Sequence, residues 1–144
     1  MSIPLQHFSI RMRAAIVLAT LLLATATTVA NAAPLLRCQV TYAGTTHIVE
    51  AVPGSDPYSV PSVDIGGRFR FKAVMLGTQE RIDVINLYAY LDASRQPILI
   101  HQAKYLPPFK ASVTATALTG NNYLYASNVE RELQYSCTLQ GVQR

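Results

Sequence analysis

The stretch GGRFRFKAVM, residues Gly66 to Met75, sets Arg68, Arg70 and Lys72 against Phe69, Phe71 and Ala73 in strict alternation. Successive side chains on a strand point to opposite faces, so this period of two predicts a half-buried β-strand with the phenylalanines inward. A helix would scatter the same residues around its circumference. The basic side chains share the wet face at intervals of about 6–7 Å, near the repeat of charges on an extended polyanion. The strip therefore carries two readings: a contact surface for an anion, or a strand face whose charges discourage pairing with other chains.

The same period extends outward from this strand. LRCQVTYA (36–43) and THIVEAV (46–52) flank Ala43-Gly44-Thr45 in the form of a hairpin. PGSDPYSVPSVDIGG (53–67) holds three prolines and three glycines in 15 residues, which predicts loop or sheet edge because proline cannot donate to a ladder. RIDVINLYAYLD (81–92) is apolar on nearly both parities, as a central strand covered on both faces would be. After the turn at Asp92–Pro97, ILIHQAKYL (98–106) and ASVTATAL (111–118) read as strands. ERELQYSCTLQ (130–140) then puts Leu133, Tyr135, Cys137 and Leu139 on one face and Glu132, Gln134, Ser136 and Thr138 on the other.

Seven or eight short strands at this spacing predict an all-β domain. The first expectation is an antiparallel sandwich, immunoglobulin-like in architecture but not in motif; a small closed barrel is the second. Tyr135 stands two residues before Cys137, as in a tyrosine corner, but the chain has no tryptophan to complete that pattern. Tyr135 is instead expected to serve as a core or rim aromatic of its strand.

The N-terminal segment has a different character. Arg11 and Arg13 precede an apolar run that ends in Ala30-Asn31-Ala32, the small-residue pattern of a secretory cleavage site. Residues 1–32 are thus expected to be a signal peptide and 33–144 a single domain. The competing reading is an uncleaved anchor, since Ala14–Ala30 spans 17 residues, the short end of membrane-crossing length. With cleavage, the mature form does not span a membrane and is periplasmic or extracellular. Removal of Arg11 and Arg13 leaves ten basic residues against eight acidic ones, a net charge of +2 rather than +4. That charge and an address outside the cytoplasm argue against a nucleic-acid partner.

Cys38 and Cys137, the only cysteines, would meet oxidising conditions after export and form a disulfide between the first strand and the last. That leaves little for catalysis or metal binding. No nucleophile elbow, phosphate-cradling glycine loop or paired carboxylate spacing is present, so no catalytic residue, cofactor or metal is assigned. A metal-handling or enzymatic alternative would rest on His47 and His101, with Met75 as a soft third ligand. A second contact candidate is KYLPPFK (104–110), where Pro107 and Pro108 stiffen a segment carrying Tyr105 and Phe109.

VDIGGRFRFKAVM (63–75), QAKYLPPF (102–109) and ELQYSC (132–137), taken with the N-terminal segment, resemble small exported proteins of unassigned function in proteobacteria. The resemblance implies a bacterial envelope setting and no particular activity. The expected role is non-catalytic contact with an envelope protein or an anionic envelope component.

Overall fold

A computed structural model describes residues 32–143, so the expected signal segment lies outside it except for Ala32. The strands are β1 (Leu35–Tyr42), β2 (Thr45–Ala51), β3 (Pro53–Gly54), β4 (Val63–Ile65), β5 (Phe69–Gly77), β6 (Ile82–Leu91), β7 (Ile98–Tyr105), β8 (Thr116–Ala117), β9 (Asn122–Ala126) and β10 (Arg131–Gln140). A single 3₁₀ turn, Ser127–Val129, separates the last two.

Two sheets result. In the first, β1 lies between β2 and β10, while β8 and β9 both pair with β10; every pairing is antiparallel. In the second, β6 lies between β5 and β7, and β3 and β4 share the free edge of β5. Only β3 runs parallel to its neighbour. The sheets do not close into a barrel: they face each other as a sandwich, with β2 against β5 on one flank and β7 against β9 on the other.

The decisive strand behaves as its alternation requires. Phe69, Phe71, Ala73 and Met75 are buried on the inner face. The Phe69 ring meets Tyr42 edge-on with centroids 5.2 Å apart, and Phe71 meets Tyr135 at 5.1 Å. Fully burying a phenylalanine stabilises the fold by about 1.5–3 kcal/mol. Across the gap, Leu36, Cys38, Val40, Leu133, Tyr135, Cys137 and Leu139 complete the core, and no charged or polar residue among those described is buried. Tyr135 is thus a core aromatic.

Backbone turns fix the register at both ends of this core. Ala43 and Gly44 take φ of 49° and 79°, the left-handed pair of a type I′ turn, whose twist matches that of the strands it joins. The loop expected at three residues is therefore two, with Tyr42 opposite Thr45. Gly66 and Gly67, at 63° and 64°, form the corresponding turn between β4 and β5. There the Arg68 N–H donates to the Ile65 carbonyl and the Gly67 N–H donates to Asp64 Oδ1 at 2.9 Å. A Cβ on Gly66 would lie 2.8 Å from the Tyr42 ring, so glycine is needed here for space as well as for φ.

Cys38 and Cys137 are directly opposite on β1 and β10, bonded, and buried. The Cys137 N–H donates to Thr119 Oγ1 at 2.9 Å, and its carbonyl accepts from the N–H groups of Leu118 and Thr119. Its backbone is therefore turned away from β1, which makes this the narrow, non-hydrogen-bonded kind of cross-strand pair. The Cα atoms are 4.0 Å apart. The bridge ties neighbours within one sheet, whereas immunoglobulin domains bridge two sheets.

Two expectations need correction. ASVTATAL forms no continuous strand: it contributes only β8 and an isolated bridge between Ser112 and Val142. Its β-branched residues supply no inward apolar row, and Val113 is exposed. β6 is central in its sheet but covered on one face only; Val84, Asn86, Tyr88 and Tyr90 are half-exposed on the other.

Candidate functional site

The open face of β6 belongs to a patch that the pairing registers define. Cross-strand partners point the same way, so Lys72, Tyr88 and Gln102 form one row across β5, β6 and β7. Val74, Asn86 and Lys104 form the next row, and Arg70, Tyr90 and Leu99 the one on the other side. Neighbouring strands lie about 4.8 Å apart and alternate residues about 6.5–7 Å apart. The result is a shallow lattice of ammonium, amide and phenol groups backed by the core.

The three basic residues of the decisive stretch have different surroundings. Arg68 sits in the glycine turn, one residue before β5, and is exposed. Arg70 Nη2 is 3.3 Å from Asp92 Oδ2, and its Nε is buried without a partner. Lys72 donates from Nζ to the Pro57 carbonyl at 2.8 Å. That bond pins the excursion between β3 and β4 against the outer face. Only Arg70 of the three has a carboxylate within 4.0 Å among the described residues; Lys72 has unused N–H donors beyond its bond to Pro57.

The pinned excursion creates a cleft. Val60, Ser62, Lys72, Tyr90 and Pro97 line an open depression of about 210 Å³ between the excursion and the β6–β7 turn. Tyr88 and Tyr90 stand side by side with ring centroids 6.4 Å apart and planes 23° from parallel. Partial burial, reinforced by neighbouring Tyr88, raises the Tyr90 pKa, so its phenol stays neutral and able both to donate and to accept. Lys72, Tyr88 and Tyr90 thus set hydrogen-bond donors and acceptors side by side on one surface.

Tyr105 and Phe109 are half-buried and packed against the core. Burial raises the Tyr105 pKa. The large apolar side chain that this segment exposes is Leu106, 62% exposed, ahead of a cis Pro107-Pro108 bond. His47 lies on β2 and His101 on β7, edge strands of different sheets on opposite flanks, so the fold does not bring the pair together. Met75 is buried in the core. Among the described residues, no cluster of three or more His, Cys, Asp or Glu side chains could hold a metal ion.

His101 has a structural partner instead. Its Nε2 lies 2.8 Å from the Tyr135 hydroxyl, with the rings 5.7 Å apart. Burial lowers the His101 pKa. Burial, with a smaller contribution from Tyr105, pushes Tyr135 up to about 12. Both groups are therefore held neutral.

Sequence reading alone did not assemble Tyr88, Asn86, Gln102 and Lys104 with Lys72. Each sits at an outward parity position of its own strand, so the signal was present one strand at a time; the β6–β7 register, with its irregularity between Ala89 and Tyr90, was needed to align them. Compared with known proteins, the chain matches no family model, no curated protein and no solved structure.

Proposed function

We propose that the chain is an exported, non-catalytic binding module of the bacterial envelope that contacts an anionic envelope component through the outer face of β5, β6 and β7. One observation carries the reading. Lys72 and Lys104, neither with a carboxylate within 4.0 Å among the described residues, flank Tyr88 and two amides on a sheet face that is open over β6 and β7, while Val74 on β5 is buried beneath its surroundings. Polar side chains with unused hydrogen-bonding capacity beside an uncompensated positive charge complement an anion that also carries hydroxyl or amide groups.

The address is supported by two features. The N-terminal segment has the form of a secretory signal. The buried Cys38–Cys137 disulfide is consistent with an oxidising compartment. No helix among the described residues is long and apolar enough to cross a membrane.

Co-sedimentation with washed bacterial envelope particles tests the reading. Wild-type protein should pellet with the particles at low salt and be released as salt rises, since exposed charge contacts are screened over about 8 Å at physiological ionic strength. Lys72→Glu with Lys104→Glu should abolish pelleting. Pelleting that is insensitive both to salt and to these substitutions would refute the proposed face.

A further inference from the structure

We propose that the ligand of this face is an acidic polysaccharide, a chain of sugar rings bearing carboxylates; this rests on the anionic contact proposed above and names its chemical class. The inference comes from what separates the cations. Between Lys72 and Lys104 the lattice places a phenol and two primary amides, Tyr88, Asn86 and Gln102. An amide offers donor and acceptor together, which matches a sugar hydroxyl, itself both donor and acceptor. A tyrosine ring presents an apolar face with a polar tip and has few rotamers to lose on binding. The ammonium groups then meet the carboxylates. The ammonium, amide and phenol groups of the face thus each have a counterpart on one ligand, while Val74 in the same lattice is buried and takes no part.

Other anions use less of it. A bilayer is held by clusters of roughly four to eight Lys or Arg, and this face has two ammonium groups without a carboxylate partner. An acidic peptide would meet the ammonium groups but has no run of hydroxyls for the amides. The open cleft adds a seat for one end of such a chain. At about 210 Å³ it falls below the roughly 300 Å³ at which pockets enclose a drug-sized ligand. It accommodates one ring, against Tyr90 and Pro97 and within reach of the Ser62 hydroxyl and the Lys72 ammonium, while the remainder of the polymer crosses the open strands toward Lys104.

Affinity electrophoresis of the purified protein distinguishes these ligands, with polygalacturonate, dextran and polyglutamate as the probes. Polygalacturonate should retard the protein at a concentration about tenfold or more below that needed for either other polymer, the factor expected when one charge-assisted or several neutral hydrogen bonds are lost. Lys72→Gln with Lys104→Gln should weaken that retardation about tenfold or more. Tyr88→Ser should weaken it as well. If that change perturbs the sheet, seen as a shifted melting temperature, Asn86→Ala with Gln102→Ala removes sugar contacts from the wet face alone and should reduce binding to polygalacturonate but not to polyglutamate. Equal retardation by polyglutamate, with the amide variant unchanged, would overturn the sugar class and leave the anionic contact standing. Retardation by neither acidic polymer would overturn the sugar class too, with envelope sedimentation then deciding the wider reading separately.

Discussion

Replacing Cys38 and Cys137 together by alanine should remove a large part of the domain's stability. The bridge closes a loop with a sequence separation of 99, and the chain-entropy relation assigns a loop of that size about 4.7 kcal/mol at 25 °C. Domains have about 5–15 kcal/mol in total, so the variant should sit close to unfolding. The native state loses little by comparison: β1 and β10 remain paired from Leu35–Gln140 to Thr41–Gln134 by backbone hydrogen bonds that do not involve sulfur. With a urea m-value of about 1.5 kcal/mol/M, the midpoint should fall by about 3 M, and m should rise because the opened denatured chain exposes more surface. Far-UV circular dichroism is the suitable assay, since the protein has no tryptophan. A midpoint shift below about 0.5 M at unchanged m would show that the denatured chain already holds its ends together, refuting the entropic argument.

Three further outcomes follow from the turns and the core. Ala43→Asn should raise stability by about 0.5–1 kcal/mol, measured by urea titration, because Ala43 occupies a left-handed φ of 49° that asparagine tolerates better. Gly66→Ala should destabilise by about 2 kcal/mol or more, seen as a lower melting temperature, because the new methyl would meet both an unfavourable φ and the Tyr42 ring. Stability should also fall with acidification through the histidine range. Burial lowers the His101 pKa in the folded state, so the unfolded chain takes up a proton first, at about pH 6.5, and the stability present above that value is lost as pH drops toward the folded pKa. Urea midpoints at pH 7.5 and 5.5 should differ for the wild type and converge for His101→Gln; equal wild-type midpoints would contradict the sign.

Local periodicity made the strands legible, and non-local partners decided what they do. Phe69 and Phe71 could be placed inward from GGRFRFKAVM alone, because period two is a property of a single strand. The hairpin around Ala43-Gly44 was readable from turn chemistry to within one residue, its loop being two residues rather than three, and the Cys38–Cys137 bridge from having no rival pairing. The fate of the basic strip was not readable. Arg70 meets Asp92 22 positions away, and Lys72 is held by a carbonyl 15 positions away, across an excursion whose path no local pattern specifies. Tyr88 illustrates the converse: its apolar neighbours suggested a covered strand, but a phenol is stable half-wet, so composition did not reveal which face stays open. ASVTATAL misled because β-propensity measures fit to a pleated surface rather than the presence of a partner.

The pairing of β1 with β10 also sets the order in which the molecule can be finished. Among the described residues β10 is the strand that joins β1 and β2 to β8 and β9, so until it arrives the described part of the first sheet consists of a hairpin and two fragments. A chain emerging N-terminus first cannot settle early into a stable intermediate containing this sheet. Contacts of such long sequence separation slow folding, so this sheet is completed late, when the arrival of β10 brings Cys137 opposite Cys38 and makes strand pairing and sulfur pairing possible together.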